Sequence, residues 1–436
     1  MLLTRDECKK LADKVIALAQ ADEVEVGISS TQNANTRYAN NTVTTAGFTS
    51  GVSVEIEVTQ EKRTGSVSVS DLSDDALAQA VRQAEAIAAL APPDPEYVEP
   101  LGPQTYPDIK AFYEETAQAR TAEIVPAVKA VVTEAEQKKV NTFGYYDISA
   151  RAQALANKRG LFGYHRATWA SYSVTARTPD ATGSGWAAQE GPRHAQIDAA
   201  RIGSTAIRKA LDSRAPQALD PGRYTVVLEP QALSDLLGFL GFSFNARAAD
   251  EGRSFLSKKG GNMLGEKVFG ENVTLWSDPF DARVPGSPWS GPGLPAAKMS
   301  WVEKGVVKNL LYDRYWAQKT ERPATPFPSN FLMEGGSARL DDLIASTERG
   351  LLVTRFWYIR FLQPQTLQLT GLTRDGLFYI EKGKVVRPVM NFRFNQSVVD
   401  LLNSIEAMTA AAPVENAVLP AVKARDFNFS SLSDAV

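Results

Sequence analysis

The side chains from which a hydrolytic or metal-dependent site could be built are few: two histidines, one cysteine and scattered carboxylates. A hydrolytic zinc site needs converging nitrogen, sulfur or carboxylate ligands and a carboxylate base beside them. His165 falls in a strand-like run between Tyr164 and Arg166, and His194 in a polar loop near Pro192. They form no H-x-x-x-H pair, so structural or surface roles are expected for both. A Ser-His-Asp arrangement would need one of them, and the chain has no G-x-S-x-G elbow. It also lacks G-x-x-x-x-G-K-[ST]; KKGGNMLGEK has other spacing and reads as a turn. Cys8 lies in the first turn of a helix, where a thiol pKa can fall, but no histidine lies near it in sequence to act as a base. Asp278 and Asp281 flank Pro279 and, with Glu303, are the acids an autonomous hydrolase would use. Asp beside Pro and Phe is the pattern of a turn former, and the spacing gives no pair a working geometry. LLVTRFWYIRF reads as a strand with a packed face, with an aromatic-lined peptide groove as the second reading.

The stretch that must position any such chemistry runs from Arg223 to Leu256. Tyr224 to Leu228 is rich in β-branched residues and predicts a strand. Pro230 suits the first turn of a following helix, where its missing N–H costs nothing. Leu233, Leu236, Leu237, Leu240 and Phe244 recur at helical spacing and predict one buried face. Phe239 and Phe242 fall off that face. A helix so apolar all round is expected to be buried in the middle of a large domain. It is predicted over 230–247, and it carries no His, Cys or Glu; Asp235 is its only acid before Asp250.

At 436 residues the chain is too long for one ordinary core. Its 44% hydrophobic and 22% charged content is that of a soluble globular protein. A net charge of -3 without a basic run gives sequence-independent nucleic-acid binding little support. No apolar run approaches the roughly 18 residues of a membrane span. MLLTRDECKKLADK is charged too early for a signal peptide. A single cysteine excludes an internal disulfide and fits a reducing compartment, so the cytoplasm is expected.

Thr4 and Glu7 have capping-box spacing and begin a helix running to about Gln20. Strand-like runs follow at Glu23–Ser29, Thr36–Asn40, Gly51–Thr59 and Gly65–Ser70, with turns expected at Asn40-Asn41 and Gly47. Ser73 caps an Ala-rich helix. Residues 92–107 form a Pro-rich connector. A helix from about Thr121 to Lys138 has Pro126 in its first turns or kinked by it. Hairpin-like strands and a helix from about Ile197 to Ser213 complete a middle unit. Beyond Leu256 the chain reads as strands and loops, with a long Pro/Gly loop over 279–297, a hairpin at Lys304-Gly305, a helix over Leu340–Arg349, turns at Asp375-Gly376 and Lys382-Gly383, and a helix capped by Ser397.

The order of these pieces resembles the TldD/PmbA family, the modulator-of-gyrase proteins, over nearly the whole chain. RYANNTVTTAGFTSGVSVEIEV is similar to the family's R-x-A-N-N strand and the strand after it. ALANKRGLFGYHRATWASYSVTAR resembles its middle hairpin. Trp301–Val307 resembles its I-E-x-G-x-L hairpin, and LFYIEKGKVVRP its Y-L-I-E-N-G-K segment. The resemblance implies that one member type, TldD, carries H-E-x-x-x-H on the helix after a V-V-L-x-P strand, completed as a zinc site by a cysteine near the C-terminus. Laid on Val226–Pro230 here, the first histidine position is Gly238, the base position Phe239 and the second histidine position Ser243. No C-terminal cysteine is present, and Ser290-Gly291-Pro292-Gly293 stands where the family has Asp-Asp-Glu-Gly. The chain therefore resembles the other type, TldE or PmbA, which lacks the zinc motif and pairs with TldD around a chamber that admits unfolded peptide.

These readings predict an α+β fold: an N-terminal α/β-layer region with antiparallel sheet, then a β-rich, barrel-like C-terminal domain around a buried helix. The expected divisions are 1–91, a linker over 92–107, a middle domain over 108–220 and a C-terminal domain over 221–436. The resemblance implies a subunit inactive alone, with no catalytic residue, metal or cofactor of its own, zinc in a TldD-like partner, and unfolded or modified peptide as substrate. The alternative is a stand-alone homodimeric peptide-binding or scaffold protein. Neither reading involves nucleic acid or membrane.

Overall fold

Strict alternation of small or branched apolar residues with polar ones builds the first layer. The computed structural model describes residues 2–433. Six antiparallel strands form one sheet in the order β3-β2-β1-β4-β5-β6: β1 (Glu23–Ala39), β2 (Thr42–Gln60), β3 (Arg63–Val69), β4 (Asn141–Asn157), β5 (Phe162–Arg177) and β6 (Ser184–Gly191). The sheet crosses the Pro-rich connector, because β1 pairs with β4 from Glu25↔Asn157 to Tyr38↔Gly144. Even-numbered residues of β1 face the helices. Val24, Val26 and Ile28 pack with α1 (Arg5–Leu18) and α2 (Asp74–Leu90). After the short α3 (Glu114–Gln118) come α4 (Thr121–Gln137) and α5 (Ala199–Asp212), which cover the other half of that face over Ala34, Tyr38, Tyr146 and Tyr172. Two of these helices lie so close that only glycine fits beneath: a Cβ at Gly65 would sit 2.1 Å from the Ala84 carbonyl, and one at Gly185 2.3 Å from that of Ala206.

The C-terminal half opens with β7 (Gly222–Leu228) and α6 (Pro230–Ser243). β7 pairs with Arg349–Gln363 on one side and Val422–Leu432 on the other. Phe392–Ser397 and Gln368–Glu381 continue the ladder, and Gln368–Glu381 pairs back onto Arg349–Gln363. The pairings thus return to their start, the barrel-like arrangement the sequence predicts. Its interior is aromatic: Phe356 stacks on Phe427 at 5.4 Å and tilts on Phe394 at 4.7 Å. A second six-stranded sheet, including Leu275–Ser277, Met299–Glu303, Phe331–Met333 and Ala417–Leu419, lies across α6. Leu233, Leu236, Leu237, Leu240 and Phe244 are all buried, as their spacing predicts. Each contributes about 2 kcal/mol through apolar burial.

Tight turns fall where expected at Asn40-Asn41, Lys304-Gly305 and Lys382-Gly383, each with both residues at positive φ, as primed hairpin turns require. Other expectations are corrected. Gly47 is no turn; it pairs with Asn35 inside an unbroken β2. Glu23–Ser29 and Thr36–Asn40 belong to one strand, since the intervening residues also pair with β2 and β4. Asp375-Gly376 does not reverse the chain: both residues have positive φ, but they lie inside the strand Gln368–Glu381 at a register shift, a bulge. The helix expected to Arg349 ends at Ala345, because Arg349 begins the strand beside β7. The helix predicted over 230–247 ends at Ser243, and Ala246–Asp250 forms a separate turn of helix capped by Asn245.

Candidate functional site

α6 is not buried on every side, which corrects the expectation drawn from its composition. Gly238 is exposed and Phe242 is 69% exposed, while Phe239 and Ser243 are half-buried. This free flank looks onto two adjoining cavities, and the residues aligned with the zinc motif lie along it. A Cβ placed on Gly238 meets no atom within 4 Å. The Phe239 ring packs edge-on against Phe361 at 5.2 Å. Ser243 Oγ donates to the Phe239 carbonyl at 2.8 Å. Glycine and phenylalanine offer no donor atom to a metal, and the serine hydroxyl is turned back onto its own helix. These residues do not fit a zinc ion. Among the described residues, no group of three or more His, Cys, Asp or Glu is placed to hold a metal.

The first cavity, about 190 Å³, lies directly over the free flank. Leu237, Phe327, Phe331 and Leu419 give it apolar walls, and Gly238 and Gly241 its floor. Glu415 supplies a carboxylate. Its oxygens accept from Gln231 Nε2 at 2.9 Å and Ser234 Oγ at 2.8 Å, both on the first turns of α6. Glu415 sits in a tight turn at φ 51°, before Ala417–Leu419. Two more carboxylates stand close by. Burial raises Asp235 to about 6, although hydrogen bonds from Gln231 and the Phe356 amide favour its anion. Burial also raises Glu190, which accepts from Trp169 Nε1 at 2.9 Å.

Phe242 and Phe327, 5.7 Å apart, separate this pocket from a larger cleft of about 820 Å³. The cleft opens between the helix-free face of the N-terminal sheet and the C-terminal half. Glu25 of β1 and Glu57 of β2 lie in it as direct cross-strand partners. Burial, then the Glu57 charge, raises Glu25 to about 7, against the opposing pull of Arg314. Burial raises Glu57 too. Like charges directly opposite destabilise a sheet, so this pair is a local cost in the fold and a candidate for function. Ser290, Gly291 and Pro292, at the position of the family's acidic element, also line the cleft. Their loop is fixed: Tyr106 donates to the Gly293 carbonyl at 2.8 Å, and Asn330 donates to the carbonyls of Asp278 and Val284.

The remaining candidates are not brought together as a catalytic group. Asp278 accepts from the Phe280 amide and pairs with Lys298; Asp281 binds Arg283; Glu303 pairs with Lys308. The two Asp residues therefore behave as turn formers. Cys8 is fully buried, and burial pushes its thiol to about 11. His165 is buried on β5 beside Trp289, and burial lowers it to about 4; His194 lies in a short turn after β6. Sequence reasoning missed Glu25, Glu57 and Glu415. Alternation in VEV and EIEV places the first two on the polar face, but which residue opposes which is set by register.

Domain profiles of one family match three successive stretches: PmbA/TldA metallopeptidase domain 1 over residues 24–88, the central domain over 99–214 and the C-terminal domain over 221–431. The chain is 22% identical over 406 residues to the metalloprotease PmbA of Escherichia coli O157:H7, covering 89% of this chain and 88% of that one. It is 33% identical over 164 residues to an uncharacterized protein of Methanocaldococcus jannaschii, a match spanning only 38% of that protein's length. The crystal structure of TldE from Thermococcus kodakarensis superposes with a TM-score of 0.85 at 20% identity, covering 97% of this chain and 99% of that one.

Proposed function

The chain belongs to the PmbA/TldD metallopeptidase family, and from that premise we propose that it is a non-catalytic, TldE-like subunit pairing with a zinc-bearing TldD-like partner to process unfolded or modified peptides. The observation that carries this reading is the free flank of α6, where Gly238, Phe239 and Ser243 offer a metal nothing to bind. The chain's own part is to wall the chamber and hold extended peptide. The long edge of β2 supports that part. β3 pairs with β2 only from Val54 onward, and among the described residues no strand pairs the outer edge of 42–53. This segment has no charged residue and no proline, the usual guards of a free edge. One carbonyl, that of Gly47, accepts from Thr121 Oγ1 at 3.1 Å. An extended chain could pair there through its backbone, independent of sequence. Among the described residues no helix is long and apolar enough to cross a membrane. A cytoplasmic site of action belongs to the same proposal.

The test is a pull-down from native extract with metal analysis of the purified chain. The expected result is capture of a TldD-like protein, with chelator-sensitive peptidase activity in the mixture and none in the chain alone. Chelator-sensitive cleavage by the chain alone would overturn the reading. A stable homodimer that binds peptide and never exchanges with such a partner would establish the scaffold alternative.

A further inference from the structure

Gly238 stands at the middle of a helix, where glycine costs about 1 kcal/mol relative to alanine. No neighbour demands it, since a Cβ there meets nothing within 4 Å. Its effect is to keep the 190 Å³ pocket open to the surface of the helix. That pocket has a long apolar wall and one carboxylate, Glu415, which accepts hydrogen bonds from the neutral donors Gln231 and Ser234. Among the described residues no lysine or arginine forms an ion pair with it.

We propose that this pocket receives the side chain of a lysine or arginine from an extended polypeptide, with its carbon stem along Leu237, Phe327 and Phe331 and its cation on Glu415. Charge complementarity selects this occupant. A carboxylate offers about four lone-pair positions, and two are taken, so Glu415 can accept further N–H donors. Asp235 and Glu190 lie within electrostatic reach of Glu415 and deepen the negative potential, with Arg355 offsetting part of the Asp235 charge. The adjoining cleft adds Asp94 and Asp313, and the facing Glu25 and Glu57, whose raised carboxyls an approaching cation would help to ionise, against Arg314, so a basic segment is drawn along the approach as well. A leucine side chain would desolvate Glu415 without a partner, and an acidic one would meet like charge. Lysine and arginine satisfy both halves of the pocket, because their stems bury while their heads pair.

This assignment deepens the peptide-handling reading and rests on it, but its test is separate. The full chain is titrated with acetylated, amidated Gly/Ser octapeptides bearing a neutral dye and one central Lys, Arg, Leu or Glu, followed by fluorescence anisotropy. The Lys and Arg peptides are expected to bind at least about tenfold tighter than the Leu peptide, the margin of one charge-assisted hydrogen bond. The preference is expected to shrink as salt rises. It should disappear in Glu415→Gln and in Gly238→Phe, which fills the pocket from an open helix position and so keeps its unfolding transition. Equal affinity for Lys and Leu peptides, no binding of any peptide, or a preference surviving both variants would overturn the assignment. None of those results bears on partner capture, which decides the subunit reading by itself.

Discussion

Asp235 Oδ2 accepts the backbone N–H of Phe356 at 2.7 Å, so the only acid of α6 is spent on a strand. Arg349–Gln363 pairs with β7 only over Gly350–Val353, and beyond it no strand pairs that edge among the described residues. The carboxylate stands in for the missing carbonyl, and Gln231 Nε2 holds its other oxygen at 2.8 Å. A buried amide left without an acceptor would cost about 1–3 kcal/mol.

This contact has a pH signature. Burial raises Asp235 from 3.8 to about 6, so the folded state holds that proton more tightly than the unfolded chain does. Its contribution to stability is greatest below about 4, falls as pH rises to about 6, and is flat above. Asp235→Asn removes that slope, so the stability of the wild type relative to the variant falls as pH rises from about 4 to about 6. Urea midpoints at pH 4.5 and 7 measure this; parallel profiles would refute it.

Lys209 Nζ and Glu229 Oε2 meet at 2.6 Å, with side chains only 9% and 19% exposed, and tie α5 to the β7–α6 junction. Lys209→Met leaves a largely buried carboxylate unpaired and is expected to cost about 3 kcal/mol. Adding Glu229→Gln should recover most of the loss. A double-mutant cycle by denaturant unfolding checks the coupling; additive losses would show that the pair does not interact.

Two glycines should respond oppositely to alanine. Gly238→Ala meets open space within a helix and is expected to stabilise by about 0.5–1 kcal/mol. Gly65→Ala would drive a Cβ to 2.1 Å from the Ala84 carbonyl and should destabilise by about 1–3 kcal/mol as an overpacked contact. Thermal unfolding of both variants decides the point, and a loss at Gly238 would mean that its flank is packed.

Glu25 carries the second pH effect. Its carboxyl is raised from 4.5 to about 7 by burial and by Glu57, so its favourable contribution to stability falls between those values and is gone above about 7. Glu57→Gln removes the facing charge and should shift the Glu25 titration downward. A side-chain carboxyl titration by NMR reads it directly; an unmoved midpoint would mean that the two groups are not coupled.

Much of the fold was legible because it is written in local periodicity. Alternation in VSVEIEV gave a two-faced strand, leucines at helical spacing gave the buried face of α6, and Asn40-Asn41 and Lys382-Gly383 gave primed turns. Gly47 and Asp375-Gly376 misled for one reason. Glycine permits a turn but does not impose one, and the flanking ladders kept each strand running. The composition of α6 misled too: Phe242 is as apolar as Leu240, and only the neighbours present at each azimuth decide which is covered.

The sequence by itself determined which donor atoms α6 can offer, because ligand atoms absent from the side chains cannot be supplied by folding. Only the tertiary structure decided what the chain brings together instead. Glu25 meets Glu57 through a strand register, and Glu415 reaches Gln231 and Ser234 from more than 180 residues away along the chain. Periodicity fixes the face a side chain takes; which distant side chain shares that face depends on the pairing of strands and the packing of layers, and those are properties of the whole fold.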